Sequence, residues 1–173
     1  TAVHEILHGL GLGHQGDYDA GGFTYAVDAF WTNDSKQQSI MSYWNQTQNT
    51  DITASLANLL GPMAADLLAL DFLYSSQSFD GTAFGVGNAF LGDTIWGVGT
   101  NITLDAFANL DTMAANNAFA IVDSGGYDTV DFSNYNVNQN IDISEAFGGS
   151  INGTISDVGG LIGNMTLGVG TII

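Results

Sequence analysis

Apolar residues recur at helical spacing in two stretches in the first half of the chain. Good helix formers run over residues 1–10, and glycines that favour a left-handed turn should end this first helix at Gly9, Gly11 and Gly13. A second helix is predicted over residues 61–74, opening on Gly61-Pro62, with apolar residues every three or four positions at Met63, Leu67, Leu70 and Tyr74. Its apolar stripe needs a partner, and the first helix is the simplest one.

The pattern changes twice outside these helices. Residues 16–49 are polar, Gly-rich and aromatic without sustained periodicity, which predicts a long ordered loop region. After residue 75 the helical periodicity ends, and short β-prone runs are predicted as strands at 94–96, 102–104, 119–122, 129–132, 141–143 and 165–167. Two of these runs follow a shared phrase, in a weak internal repeat: Asp93-Thr94-Ile95 and Asp128-Thr129-Val130.

Composition allows a folded chain of at most two compact units. The chain has 173 residues, of which 45% are hydrophobic, enough apolar surface to offset chain entropy. We therefore expect an α+β fold, with a helical part at residues 1–75 and a β-rich part at 76–173. A metal motif lies almost at the first residue with no supporting segment before it, so we also expect the chain to be a fragment of a longer protein.

Charge narrows the possible partners. Against 18 acidic residues there is one basic residue, Lys36, and the formal net charge is −17. Nucleic acid and anionic membrane surfaces are therefore poor partners, and bound cations are the direct relief for such self-repulsion. No segment is long enough for a membrane span, so we expect no membrane insertion. Cysteine is absent, which leaves histidines and carboxylates as the available zinc ligands.

The candidate chemistry lies in the segment His4-Glu5-Ile6-Leu7-His8-Gly9-Leu10-Gly11-Leu12-Gly13-His14. Residues four apart share one helix face, so His4 and His8 can present two imidazoles to one ion, with Glu5 beside it. Gly11 permits a sharp turn that would bring His14 in as a third ligand. The five-residue motif alone can arise by accident or serve a structural zinc, but the placement of Gly11 and His14 favours a catalytic site.

Three neutral histidines leave a zinc ion one position for water, whose pKa the ion lowers to roughly 7. Glu5 would be the general base that takes a proton from this water and passes it to a leaving amine. Hydrolysis of an amide is the natural reaction class.

The motif formed by His4, Glu5, His8, Gly11 and His14 resembles the signature of metzincin zinc metalloproteases. The segment Ser39-Ile40-Met41-Ser42-Tyr43-Trp44 resembles the Met-turn of their serralysin family. The similarity continues at residues 16–18, 65–74, 123–133 and 156–164. The resemblance implies the C-terminal half of a zincin-like catalytic domain followed by a β-sandwich or β-roll-like region. It implies that Met41 forms a hydrophobic floor beneath the zinc histidines and that Tyr43 ligates zinc or stabilises the transition state. Gln15 departs from the family, in which a proline commonly follows the third histidine.

A second metal is expected in the β-rich part. The segment 123–128 offers two carboxylates around glycines whose neighbouring carbonyls can converge, which suits calcium, although a solvated Asp-Gly turn explains the pattern equally well. The resemblance implies calcium binding here with partners near residue 93. The candidate calcium ligands are Phe90, Gly92, Asp93, Thr94, Asp123, Gly125, Gly126 and Asp128.

Two functions follow as hypotheses. The first is a secreted, extracellular zinc endopeptidase, monomeric and acting on protein substrates. The second is a calcium-dependent β-roll module for binding or secretion, in which the peptidase part is inactive. Retention of Glu5 and of all three histidines favours the enzyme.

Overall fold

The computed structural model describes residues 2–19, 21–145 and 154–173 of the chain. Within these residues the fold is a mixture of α and β structure with few helices, as the sequence predicts. The helices are α1 (Ala2–Gly9), α2 (Tyr25–Asp28), α3 (Ala64–Tyr74) and α4 (Leu110–Met113). The strands are β1 (Asn58–Leu59), β2 (Ser78–Phe79), β3 (Thr82–Ala83), β4 (Ile95–Gly97), β5 (Asn117–Ile121), β6 (Thr129–Asp131), β7 (Thr154–Val158) and β8 (Leu161–Leu167).

The largest sheet has four strands in the order β1-β5-β8-β7. Strand β5 runs parallel to both β1 and β8, and β7 pairs with β8 in the antiparallel sense. Strands β2 and β3 form a hairpin, and β4 and β6 pair in parallel. The two similar phrases of the sequence therefore lead into two neighbouring parallel strands.

Helix α1 ends in a glycine turn. The N–H of Leu12 donates to the carbonyl of Leu7 and the N–H of Gly11 donates to that of His8, both at 3.0 Å. This pair of bonds is the Schellman arrangement, and Gly11 has the positive φ of 95° that the arrangement requires. The chain leaves the helix at the predicted place and turns back towards it.

Helix α3 packs on α1, which confirms the expected partner. Leu70 packs against a buried cluster that contains Leu7, and the Tyr74 hydroxyl donates to the carbonyl of Leu10 at 2.6 Å. The helix begins at Ala64, however, so the prediction that Pro62 opens its first turn is wrong by two residues. The side chain of Asp66, which accepts the N–H of Met63 at 2.8 Å, marks the true start.

The second core lies in the β-rich part and is built on buried aromatic and aliphatic side chains, among them Trp96, Phe119, Ile121, Phe132 and Leu167. Strands were predicted near β4, β5, β6 and β8, and these are confirmed. The strands predicted at 102–104 and 141–143 are wrong. Their backbone groups bond to side chains instead, since Ile102 N–H donates to the Thr100 hydroxyl and Asp142 N–H to the Ser156 hydroxyl.

The division at residue 75 remains a prediction, and the four-stranded sheet crosses it. Strand β1 belongs to the first 75 residues and pairs with β5, with the N–H of Leu60 donating to the carbonyl of Ala118 at 3.0 Å. Just before β1, the N–H of Ser55 donates to the carbonyl of Ile162 at 2.9 Å. Among the described residues, the helices are all too short or too polar to span a membrane.

Candidate metal centre and cleft

Three histidines meet at the end of α1. His4 and His8 lie one turn apart on the helix, and the turn at Gly11 returns His14 to the same face. The Nε2 atom of His14 lies 3.3 Å from that of His4 and 3.1 Å from that of His8. The three histidines form a group that could hold a metal ion, since one nitrogen from each ring lies within 4.8 Å of the others.

The other nitrogen of each ring is fixed by a backbone carbonyl. The Nδ1 atoms of His4, His8 and His14 lie 2.9, 2.8 and 2.8 Å from the carbonyl oxygens of Ile40, Leu12 and Tyr18 respectively. A carbonyl can only accept, so each Nδ1 carries the hydrogen and each neutral ring turns the lone pair of Nε2 to the centre. Three converging lone pairs repel one another unless a cation lies among them. The donor set therefore fits zinc, which takes neutral imidazoles oriented in this way.

The turn containing Met41 lies between α1 and α3. Met41 is buried in the cluster with Leu7, Leu12 and Ile40, so its packing against α1 is clear, and its role as a floor beneath the histidines stays a prediction. The turn is closed by a hydrogen bond of 3.0 Å from Met41 N–H to the Ser39 hydroxyl.

Asp66 of α3 anchors this turn. Its carboxylate accepts the Ser39 hydroxyl at 2.5 Å and the N–H of Ile40 at 2.7 Å. Burial raises the pKa of Asp66, and the hydrogen bonds from Ser39, Met63 and Ile40 act in the opposite sense. Sequence reasoning missed this residue, because a carboxylate near a helix start is common.

A cleft of about 640 Å³ lies beside His4. Its lining includes His4, Glu5, Tyr43 and the single basic residue, Lys36. Glu5 is exposed, and the Tyr43 ring is 39% exposed with its centroid 4.4 Å from that of His14. The candidate base and the candidate assisting tyrosine thus line the same open cleft as His4.

Tyr18 and Asp34 are two further residues at the centre whose part sequence reasoning missed. The Tyr18 hydroxyl donates to both carboxylate oxygens of Asp34, at 2.8 and 3.1 Å, and both residues are buried. Burial raises the pKa of Tyr18, and the neighbouring Asp34 raises it further, so the phenol stays protonated as a donor. The segment Gly16-Asp17-Tyr18 resembles the family, but nothing in the pattern pairs it with residue 34.

The predicted calcium residues also come together, at the start of the parallel strands β4 and β6. Asp128 Oδ1 accepts the N–H of Thr94 at 2.9 Å, and Asp93 Oδ1 accepts the N–H of Tyr127 at 2.9 Å. Gly126 lies so close to Gly92 that a Cβ atom on Gly126 would be 2.6 Å from the Gly92 carbonyl oxygen. Phe90 has a positive φ of 49°, which for an aromatic residue is strained.

Two carboxylates in this region, those of Asp123 and Asp128, have buried oxygens. Asp123 is fully buried, and burial raises its pKa, as does the charge of Asp128, whereas the hydrogen bond from Trp96 Nε1 lowers it. Asp128 Oδ2 is buried without a hydrogen-bond partner among the described residues. A buried carboxylate oxygen with no donor, near a second buried carboxylate, fits a hard cation with oxygen ligands. Gly125 lies between them, and its N–H is 3.4 Å from Asp123 Oδ1.

Comparison with known proteins finds a family model and several similar sequences. Residues 88–173 match the family model described as Peptidase M10 serralysin C terminal. The whole chain aligns with Metallopeptidase AprA of Pseudomonas marginalis and with Serralysin C of Dickeya chrysanthemi, at 37% identity in each case. Serralysin of Proteus mirabilis is 33% identical over 96% of the chain. These alignments cover 34%, 33% and 30% of the relatives, so the chain spans about a third of their length.

Proposed function

Since this chain belongs to the serralysin family of metalloproteases, we propose that it carries the zinc-binding and catalytic residues of a secreted endopeptidase that hydrolyses peptide bonds in proteins. The observation that carries the proposal is the orientation of the three histidines. Each Nδ1 is held by a carbonyl, and the three Nε2 atoms converge. In this reading residues 1–75 are the C-terminal half of a zincin-like domain, and residues 76–173 are the β-rich part.

Roles follow from the positions of the side chains. His4, His8 and His14 would hold zinc, which when bound supplies a Lewis acid that activates water and polarises a carbonyl. Glu5 takes a proton from the attacking water and returns it to the leaving amine. Tyr43 donates its hydroxyl to the oxygen that gains negative charge, or contributes as a further zinc ligand. The substrate is a protein chain lying in the cleft beside α1.

Substitution of Glu5 in the full-length parent protein tests the mechanism. Glu5→Gln keeps the size of the side chain but removes the base, so casein cleavage should fall at least 100-fold while zinc content stays near one per chain. Glu145→Gln is the matched control, because Glu145 is the other glutamate of the sequence and is exposed. Equal cleavage by the wild type, by Glu5→Gln and by the wild type treated with a zinc chelator would exclude the zinc mechanism.

We also propose calcium binding at the start of β4 and β6, by the carboxylates of Asp93, Asp123 and Asp128 with oxygens near Phe90, Gly92, Thr94, Gly125 and Gly126. Asp128 Oδ2, which is buried and has no hydrogen-bond partner within the described part of the chain, supports this proposal. Calcium should raise the thermal stability of the wild type, and Asp128→Asn should reduce this effect. Asp142→Asn, at an exposed carboxylate in the same part, should not.

The alternative function, a calcium-dependent binding or secretion module with an inactive peptidase part, draws on the same three carboxylates. It predicts a calcium response in a protein that cleaves nothing. The Glu5→Gln comparison separates the two functions, since only the enzyme has activity to lose. We propose a monomer for both, and sedimentation of the parent protein measures that directly.

A further inference from the structure

Tyr18 touches the candidate zinc centre at one end and a buried carboxylate at the other. Its backbone carbonyl lies 2.8 Å from His14 Nδ1, and its hydroxyl is 2.8 Å from Asp34 Oδ2. Tyr18 is 1% exposed and Asp34 is fully buried. A buried carboxylate is costly unless it is hydrogen-bonded, so Asp34 holds the hydroxyl strongly in place.

The Tyr18 side chain also contacts the segment that carries Tyr43. Its ring is stacked on His14 at 5.7 Å with an interplanar angle of 16°, and its centroid lies 5.0 Å from that of Tyr43. The Ser42 side chain and the Tyr43 backbone are also near enough to the Tyr18 phenol group to lower its pKa. Tyr18 therefore contacts His14 through its backbone carbonyl and its ring. The same ring contacts Tyr43.

We propose that Tyr18 and Asp34 form a positioning pair that fixes the orientation of His14 and the place of Tyr43 together. Asp34 anchors the phenol, the phenol sets the position of the Tyr18 backbone, and the carbonyl of that backbone orients the imidazole. The inference rests on the proposed function in so far as His14 is taken as a zinc ligand. Partners of this kind typically change metal affinity by about 10- to 100-fold.

Tyr18→Phe in the full-length protein is the test, because it removes one oxygen and keeps the ring and the carbonyl. The zinc dissociation constant, measured by competition with a chelator, should rise about 10-fold. The absorption spectrum of the cobalt-substituted protein should change, and kcat should fall with KM little altered. Tyr25→Phe is the matched control, because Tyr25 is the first residue of α2 and its hydroxyl donates to the carbonyl of Thr32, so zinc affinity and spectrum should not change.

Asp34→Asn should also raise the zinc dissociation constant. The double variant should have a dissociation constant no higher than that of the single variant that binds zinc more weakly, since the two side chains act as a unit. A Tyr18→Phe protein that loses only thermal stability, with zinc affinity and cobalt spectrum unchanged, would overturn the proposal. If Asp34→Asn fails to fold, Tyr18→Phe alone decides. A wild type that binds zinc but cleaves no protein would defeat the proposed function, while the zinc affinities would still decide the role of the pair.

Discussion

Asp66 Oδ2 accepts a hydrogen bond from the backbone N–H of Ile40 at 2.7 Å. The carbonyl of the same Ile40 lies 2.9 Å from Nδ1 of His4. A carboxylate on α3 is thus joined to the first candidate zinc ligand on α1 through a single residue of the intervening turn. Asp66 also accepts from the Ser39 hydroxyl and from the N–H of Met63, so it joins two residues of the turn to the start of α3.

Asp66→Ala should destabilise the protein by about 3 kcal/mol, because it leaves the N–H groups of Ile40 and Met63 and the hydroxyl of Ser39 without a buried acceptor. Asp66→Asn should cost only about 1 kcal/mol, since the Ser39 hydroxyl can reverse and accept from the new amide. Urea unfolding measures both values. Asp105→Asn, at an exposed aspartate, is the control, and equal stability of Asp66→Ala and the wild type would contradict the anchoring role.

The same carboxyl predicts a pH effect. Burial raises the pKa of Asp66 above its ordinary value of 3.8, so the folded protein takes up this proton at a higher pH than the unfolded chain does. The folded state therefore gains stability from Asp66 as the pH falls through the folded-state pKa to 3.8, and this gain is absent at neutral pH. The free energy of unfolding of the wild type minus that of Asp66→Asn should therefore increase as the pH is lowered through that range. A difference independent of pH would refute it.

Asp66 and Tyr18 show which features of the site could not be predicted from the sequence. The three histidines could be predicted because helix geometry and a glycine turn are local. The contacts of Asp66 with Ile40 and of Tyr18 with Asp34 join residues 26 and 16 positions apart, and no spacing rule relates them. Such pairs are set by how α3 and the long loop pack around the centre.

Strand β7 was missed for a different reason. Its buried positions are Thr154, Ser156 and Val158, whereas Ile155 between them is only partly buried. Two of the three inward positions are polar, so the hydrophobic alternation that identifies a strand is absent. The opposite error occurred at 102–104, where Ile102 is buried in the core without lying in a strand.

Gly126 provides a test of the calcium region. It has φ of 140°, and a Cβ atom there would lie 2.6 Å from the Gly92 carbonyl carbon and 2.9 Å from Asp128 Oδ1. Gly126→Ala should therefore push Asp128 and Gly92 apart and remove most of the stabilisation by calcium, which is about 2.7 kcal/mol at 100 times the dissociation constant. Thermal unfolding with and without calcium measures this.

Gly87→Ala is the matched control for that experiment, because a Cβ atom on Gly87 has nothing within 4 Å and Gly87 is not among the candidate calcium ligands. It should respond to calcium as the wild type does. A full calcium response in Gly126→Ala would show that the close approach of Gly92 is not needed for the ion.

Tyr43→Phe should lower kcat about 100-fold, the usual effect of losing one hydrogen-bond donor to a developing oxyanion. Zinc content should stay near one per chain, because the three histidines do not depend on the Tyr43 hydroxyl. Steady-state cleavage of a peptide and metal analysis together measure the two quantities. Tyr127→Phe, at a tyrosine that is 87% exposed in the β-rich part, should leave both unchanged.

The four-stranded sheet gives the cleft an unexpected support. Ala57, Asn58 and Leu59 line the cleft, and the last two form strand β1, whose hydrogen-bonding partner is β5 in the β-rich part. One side of the cleft is thus the edge strand of a sheet whose other three strands come from beyond residue 75. A chain cut at that residue would leave β1 without its hydrogen-bonding partner β5, so this wall of the cleft depends on residues from both sides of the cut.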